Sequence, residues 1–208
     1  MSENILRHAL SDRVFHWVTA VAVLVLLGTA FLPIIGLKFP WVTAHWVAGV
    51  VLTLAVVFHI LRSLSLRRLR HMGIGPRDMR EGLAAVAGLF GRRGGAPQAG
   101  KYSAAQKLMH HVVAVLVLVT VATGLPMMVK VDTPFWERDP YWLETGTWGM
   151  IYVLHGLAAL CLLSVVMVHI YFVLRPEKRP YLRAMIRGWM RREEALADHD
   201  PQRWPGDA

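Results

Sequence analysis

Cysteine is almost missing from this chain: its 208 residues include one, Cys161. A single thiol excludes a disulfide framework, an iron–sulfur cluster ligated within the chain, and covalent haem attachment through C-x-x-C-H. Acidic residues are also scarce, 14 against 23 lysines and arginines, and the net charge is +9. The longest apolar runs hold essentially no carboxylate, which counts against a histidine-based metal or proton transporter, since such a protein needs acids within its spans. Glu-x-x-His pairs are absent too, which counts against a membrane di-iron oxidase. The sequence has no nucleotide loop and no molybdenum motif, so it carries no independent substrate-oxidising site. The first apolar run is too long for a signal-peptide core and lacks a clear small-x-small cleavage site, so it reads as a retained span.

What is abundant is apolar sequence in blocks. The chain is 55% hydrophobic, with a mean hydropathy of +0.40. The blocks predict an all-α, integral membrane four-helix bundle, one domain over 1–208, with spans at about 14–32, 42–61, 108–129 and 148–174. Ser11 or Asp12 is placed to cap the first helix near Arg13. Basic residues flank the spans rather than forming a nucleic-acid face. They crowd the 62–107 loop and the 175–208 tail, whereas the loop around Asp132, Glu137, Asp139 and Glu144 is acidic and aromatic. The positive-inside rule therefore places both termini and the 62–107 loop in the cytoplasm. Within that loop Met79, Leu83, Val86 and Phe90 fall at helical spacing. In the tail Tyr181, Met185, Ile186 and Trp189 form an apolar face. Both segments predict short interfacial helices against membrane lipid. Residues 91–100, GRRGGAPQAG, predict a flexible turn.

Histidines mark the chemistry. An ionisable side chain inside a span costs about 2.5–3.5 kcal/mol even on permissive scales, so it needs a reason to be there. His155 and His169 lie 14 residues apart in the last span, within about 40° of the same face and about 21 Å apart along the axis. His45 and His59 repeat that spacing in the second span. On the outer side only His45 and His155 are available to pair. On the inner side His169 has His16, His59, His110 and His111 as candidate partners. Two depth-matched histidine pairs suit two bis-histidine b-type haems, which together form an electron path across the bilayer. Gly28, Gly49, Gly124 and Gly156 would let a flat ring approach the helices.

Several motifs occur together: DRVFHW at 12–17, His45 with Gly49, GKYSAAQK at 100–107, the paired histidines through His169-Ile-Tyr, and HDPQRW at 199–204. In this register the chain resembles the gamma subunits of respiratory formate dehydrogenases. These belong to the bacterial di-haem cytochrome b family, which also serves nickel–iron hydrogenases and thiosulfate reductase. The resemblance implies a multi-pass protein of the bacterial inner membrane with two haem b groups. It implies that His45 and His155 ligate the outer haem and His16 and His169 the inner one, with His59 the runner-up inner ligand. It further implies a quinone pocket (menaquinone or ubiquinone) at Ser103, Ala105 and Gln106, where Ser103 and Ala105 replace the family's Asn and Gly. The partners it implies are an iron–sulfur electron-transfer subunit and a catalytic subunit facing the periplasm. Arg13, Arg62 and Lys101 are then the nearest cations for haem propionates.

Overall fold

The computed structural model describes residues 4–65, 72–89 and 98–204. Helix α1 spans Leu10–Phe31, α2 Trp41–Ser65, α3 Pro76–Leu89, α4 Ala104–Met127, α5 Thr145–Leu174, α6 Arg179–Arg187 and α7 Arg192–Asp198. Strands β1 (Asn4–Leu6) and β2 (Trp189–Arg191) form an antiparallel pair, with Asn4 opposite Arg191 and Leu6 opposite Trp189. Helices α1, α2, α4 and α5 are each long and apolar enough to cross a membrane. Arg67, Arg68, Arg70, His71, Phe90, Arg92, Arg93 and most of the 91–100 turn lie outside the described residues, as does the Val86 side chain.

The chain forms two compact units. One comprises Phe15–His59 and Val112–Val168. All four long helices contribute to its core. Ala22, Val23 and Leu27 of α1 meet Leu52 of α2, Val117 of α4 and Leu162 of α5. Large apolar side chains on the same helices point outward, among them Val21, Leu54, Val115 and Val153. An apolar outside around an apolar core is stable in lipid and not in water.

The core also contains an internal repeat. Residues 16–29 and 110–123 align without a gap and share eight of 14 residues, including His16 with His110 and Thr29 with Thr123. Helices α2 and α5 align the same way, pairing His45 with His155, Ala48 with Ala158, Leu52 with Leu162 and His59 with His169. Equivalent positions are equally buried: Ala48 and Ala158, Leu52 and Leu162, Thr29 and Thr123.

The other unit comprises the described parts of Met1–Val14, Ile60–His111 and His169–Ala208. Its small core holds Ala184, Met190, Ala195 and Trp204, with Ile5 and Tyr181 packed against it. Helix α3 exposes Met79 and Leu83 together with Arg77 and Arg80, while Asp78 and Glu81 are buried. Asp78 pairs with Lys107 at 2.9 Å and Glu81 with Arg203 at 2.6 Å. Acids facing protein and apolar groups facing out suit a helix lying in a membrane interface. Burial alone would raise the Asp78 pKa, but the Gly75 N–H and the Lys107 ammonium hold it below the ordinary carboxylate value.

Helix starts differ from the sequence expectation where a cap is involved. Helix α1 begins at Leu10, ahead of Ser11 and Asp12, and Asp12 instead takes a 2.5 Å ion pair with Arg62. Helix α4 begins at Ala104. The Ser103 N–H donates to Gln106 Oε1 at 2.9 Å, and the Gln106 N–H donates to Ser103 Oγ at 3.3 Å. This is a reciprocal capping box in the Ser-x-x-Gln pattern. In the tail, Ile186 is exposed as an interfacial face requires, but Tyr181 turns inward and donates from its hydroxyl to Asp198 at 2.8 Å.

The tail is fastened to the N-terminal segment by a buried cation. Arg7 is 2% exposed. Its guanidinium donates to His199 Nε2 at 2.9 Å and to the Lys101 carbonyl at 2.7 Å. It also lies over the Tyr181 ring (4.8 Å) and the Trp204 ring (5.0 Å). His199 Nδ1 is 2.7 Å from the Gly100 carbonyl, so Nδ1 carries the hydrogen and Nε2 accepts from Arg7. Burial, and then the Arg7 charge, hold His199 below its ordinary pKa and keep it neutral. The Arg7 and His8 N–H groups both donate to the Gly188 carbonyl, at 2.8 and 3.0 Å. Gly188 ends α6 with a φ of 96°, and a Cβ there would come within 3.1 Å of the His8 carbonyl oxygen.

Candidate metal centre

His45 sits one turn into α2 and His155 in the N-terminal half of α5. The four-helix unit brings them together. Their ring centroids are 6.4 Å apart, with planes inclined at 64°. Two imidazoles bound to opposite sides of one metal ion have centroids roughly 6.3 Å apart, given a metal–nitrogen bond of about 2.0 Å on each side. Each ring is held at Nδ1 by a buried threonine from the preceding helix. Thr29 Oγ1 of α1 lies 2.8 Å from His45 Nδ1, and Thr123 Oγ1 of α4 lies 2.9 Å from His155 Nδ1. Trp41 stands edge-on to His45 at 6.2 Å. Gly124 gives His155 its place against α4, since a Cβ there would be 3.2 Å from the ring carbon Cε1. The other three glycines do not approach a histidine ring in this way.

The remaining candidates are placed as follows. His16 of α1 lies edge-on to Trp17 at 5.3 Å. His59 of α2 stacks on Phe15 at 4.2 Å with planes 14° apart. His16 and His59 belong to the four-helix unit, whereas His169 belongs to the other one. His110 and His111 stand edge-on to one another at 5.5 Å, and His111 Nδ1 is 2.7 Å from the Lys107 carbonyl. Ser103 and Gln106 form the α4 cap, and Ala105 lies in its first turn. Arg13 donates to the Ile186 carbonyl at 2.6 Å and Arg62 pairs with Asp12, so two of the three expected propionate cations, all but Lys101, are shown with such partners.

Sequence reasoning missed Thr29 and Thr123. Threonine inside a helix ordinarily bonds its own backbone, and both do so here. Their shared register, 13 residues after His16 and after His110, is the signal that singles them out.

The residues fit a haem. Two imidazoles from different helices lie 6.4 Å apart in an apolar bundle, and between them they would hold a haem iron, which would supply a one-electron couple. Four membrane-spanning helices around such a pair define a membrane-embedded b-type cytochrome. A family model for prokaryotic cytochrome b561 matches residues 7–188. The chain belongs to that family, and it is a multi-pass inner-membrane protein that carries electrons on haem b. No curated protein matches the chain.

Proposed function

We propose that this chain is the di-haem membrane subunit of a respiratory oxidoreductase, carrying electrons from a periplasmic-facing enzyme to quinone at the cytoplasmic side. The observation that carries the reading is the 6.4 Å opposition of His45 and His155, which serves as the axial pair of an outer haem. His16 and His169 hold an inner haem. Bound haem supplies a one-electron couple, and the chain contributes the ligands, the apolar surroundings and the alignment of the two sites along α5. Both termini lie in the cytoplasm, as the basic loops require. Quinone binds beside the start of α4, at Ser103, Ala105 and Gln106. The cap uses Gln106 Oε1, which leaves Nε2 as the donor to a quinone carbonyl. The partners are an iron–sulfur subunit and a catalytic subunit. Formate dehydrogenase fits best on the motifs, ahead of a hydrogenase or another molybdenum enzyme.

A second reading of the inner site has its own observation. The internal repeat makes His59 the equivalent of His169, as His45 is of His155, which favours His59 over His16 as the inner ligand. Haem content of the purified protein separates these readings. The parent chain is expected to bind two haems, and His45→Ala and His155→Ala are each expected to lose the same one. Retention of both haems in His155→Ala would refute the outer assignment. Loss of the inner haem in His59→Ala but not in His16→Ala would reassign that ligand. Purification of the native complex identifies the partner enzyme.

A further inference from the structure

Thr29 and Thr123 do more than fill the bundle. Each hydroxyl has three polar neighbours. Thr29 Oγ1 lies 2.7 Å from the Val25 carbonyl, 3.0 Å from that of Leu26 and 2.8 Å from His45 Nδ1. Thr123 Oγ1 lies 2.6 Å from the Val119 carbonyl, 3.2 Å from that of Thr120 and 2.9 Å from His155 Nδ1. A hydroxyl has one hydrogen and two lone pairs, and a carbonyl can only accept. Separations of 2.6 and 2.7 Å between two oxygens require that hydrogen to lie between them. The hydroxyl oxygen is then the acceptor for Nδ1, so Nδ1 must carry the ring hydrogen. With the hydrogen at Nδ1, the lone pair lies at Nε2.

We propose that Thr29 and Thr123 are positioning residues of the outer haem site. They fix both axial imidazoles as the Nδ1–H tautomer, set their rotation, and make them more electron-donating toward the iron. The proposal rests on the assignment of His45 and His155 as the axial pair. Its independent support is the repeat. The two threonines are equivalent positions of α1 and α4, and the two histidines are equivalent positions of α2 and α5. The same contact is therefore built twice, at 2.8 and 2.9 Å. An Nδ1–H bonded to oxygen raises ligand basicity and favours ferric iron, so these contacts lower the reduction potential of the site.

The test uses the full-length purified protein with Thr29→Val, Thr123→Val, and serine at each position. Valine matches threonine in shape and removes the acceptor, while serine restores it. The readouts are haem per chain, the low-spin ferric electron-paramagnetic-resonance signal, and an optical redox titration. Each valine variant is expected to bind the outer haem 10–100-fold more weakly. Where it retains the haem, its potential rises, by about 59 mV for each tenfold loss of ferric preference. The serine variants keep the parent values. Loss of the outer haem in valine but not serine variants also supports the proposal. An unchanged potential and signal in both valine variants overturns it, as does a serine variant that fails in the same way as valine. His155→Ala is measured alongside: if it keeps every haem, the axial assignment itself is wrong, whatever the threonine variants show.

Discussion

Replacing Gly124 by alanine adds one methyl group beside the outer histidine, and its effect can be sized from the structure. The new Cβ would stand 3.2 Å from His155 Cε1 and 3.7 Å from Nδ1, whereas carbon atoms are at ease at about 3.5–4.0 Å. The ring must therefore retreat by roughly 0.3–0.5 Å while its Nδ1 is tethered to Thr123. Overpacking of this kind costs about 1–3 kcal/mol, which is about 5-fold to 150-fold in occupancy of the outer haem site. The helix itself gains, since alanine is better than glycine in a helix by about 0.8–1.0 kcal/mol. Haem binding and bundle stability should thus move in opposite directions. Titration of haem into the apo-protein in detergent measures the first, and thermal unfolding of the same apo-protein the second. Gly82→Ala is the control, because nothing lies within 4 Å of the added atom. Unchanged haem affinity in Gly124→Ala would refute the claim that this ring must lie against the α4 backbone.

The Arg7–His199 clamp should respond to acid. His199 is held neutral, with a pKa below its ordinary 6.5. Its contribution to stability is therefore complete above about pH 6.5 and is lost as pH falls from there through the lowered folded value. Lower protection factors of the β1 and β2 amides below pH 6, after correction for the slower intrinsic exchange in acid and reversed on returning to neutral pH, are the expected result; unchanged protection would count against the Arg7–His199 contact as a stabiliser. Asp78→Ala should destabilise the 98–107 segment, because Lys107 Nζ would keep only the Gly73 carbonyl at 3.0 Å while its ammonium stays nearly buried. Breaking one half of such a pair costs about 3–5 kcal/mol. Limited proteolysis near Lys101 should quicken in this variant and recover in the double variant with Lys107→Met.

The long helices were legible because lipid imposes a strong rule: apolar runs of sufficient length must close their own hydrogen bonds. The pairing of His45 with His155 was legible for a related reason, since few ionisable groups occur at that depth. Other features depend on information that no local pattern carries. Ser103-x-x-Gln106 is a recognisable cap, and the same residues carry the motif whose resemblance implies quinone binding. Tyr181 has the spacing of a lipid-facing residue, and a cation 174 positions earlier turns it inward. The repeat was present in the sequence throughout, hidden because both copies consist mostly of valine, leucine and alanine. The burial of Thr29 and Thr123 and their matching contacts to His45 and His155 separate a structural equivalence from shared composition.

The pairing of β1 with β2 sets an order of events during biogenesis. Asn4–Leu6 is synthesised before its partner Trp189–Arg191, and all four long helices lie between them. At about 5–20 residues per second, roughly 10–40 s separate them. Through that interval β1 is an open strand edge, and Arg7 lacks the His199, Tyr181 and Trp204 that later enclose it. All four long helices must therefore be made before the two strands can pair. A chain truncated or misinserted at α5 cannot make this closure, and it would present quality-control proteases with an unpaired β1.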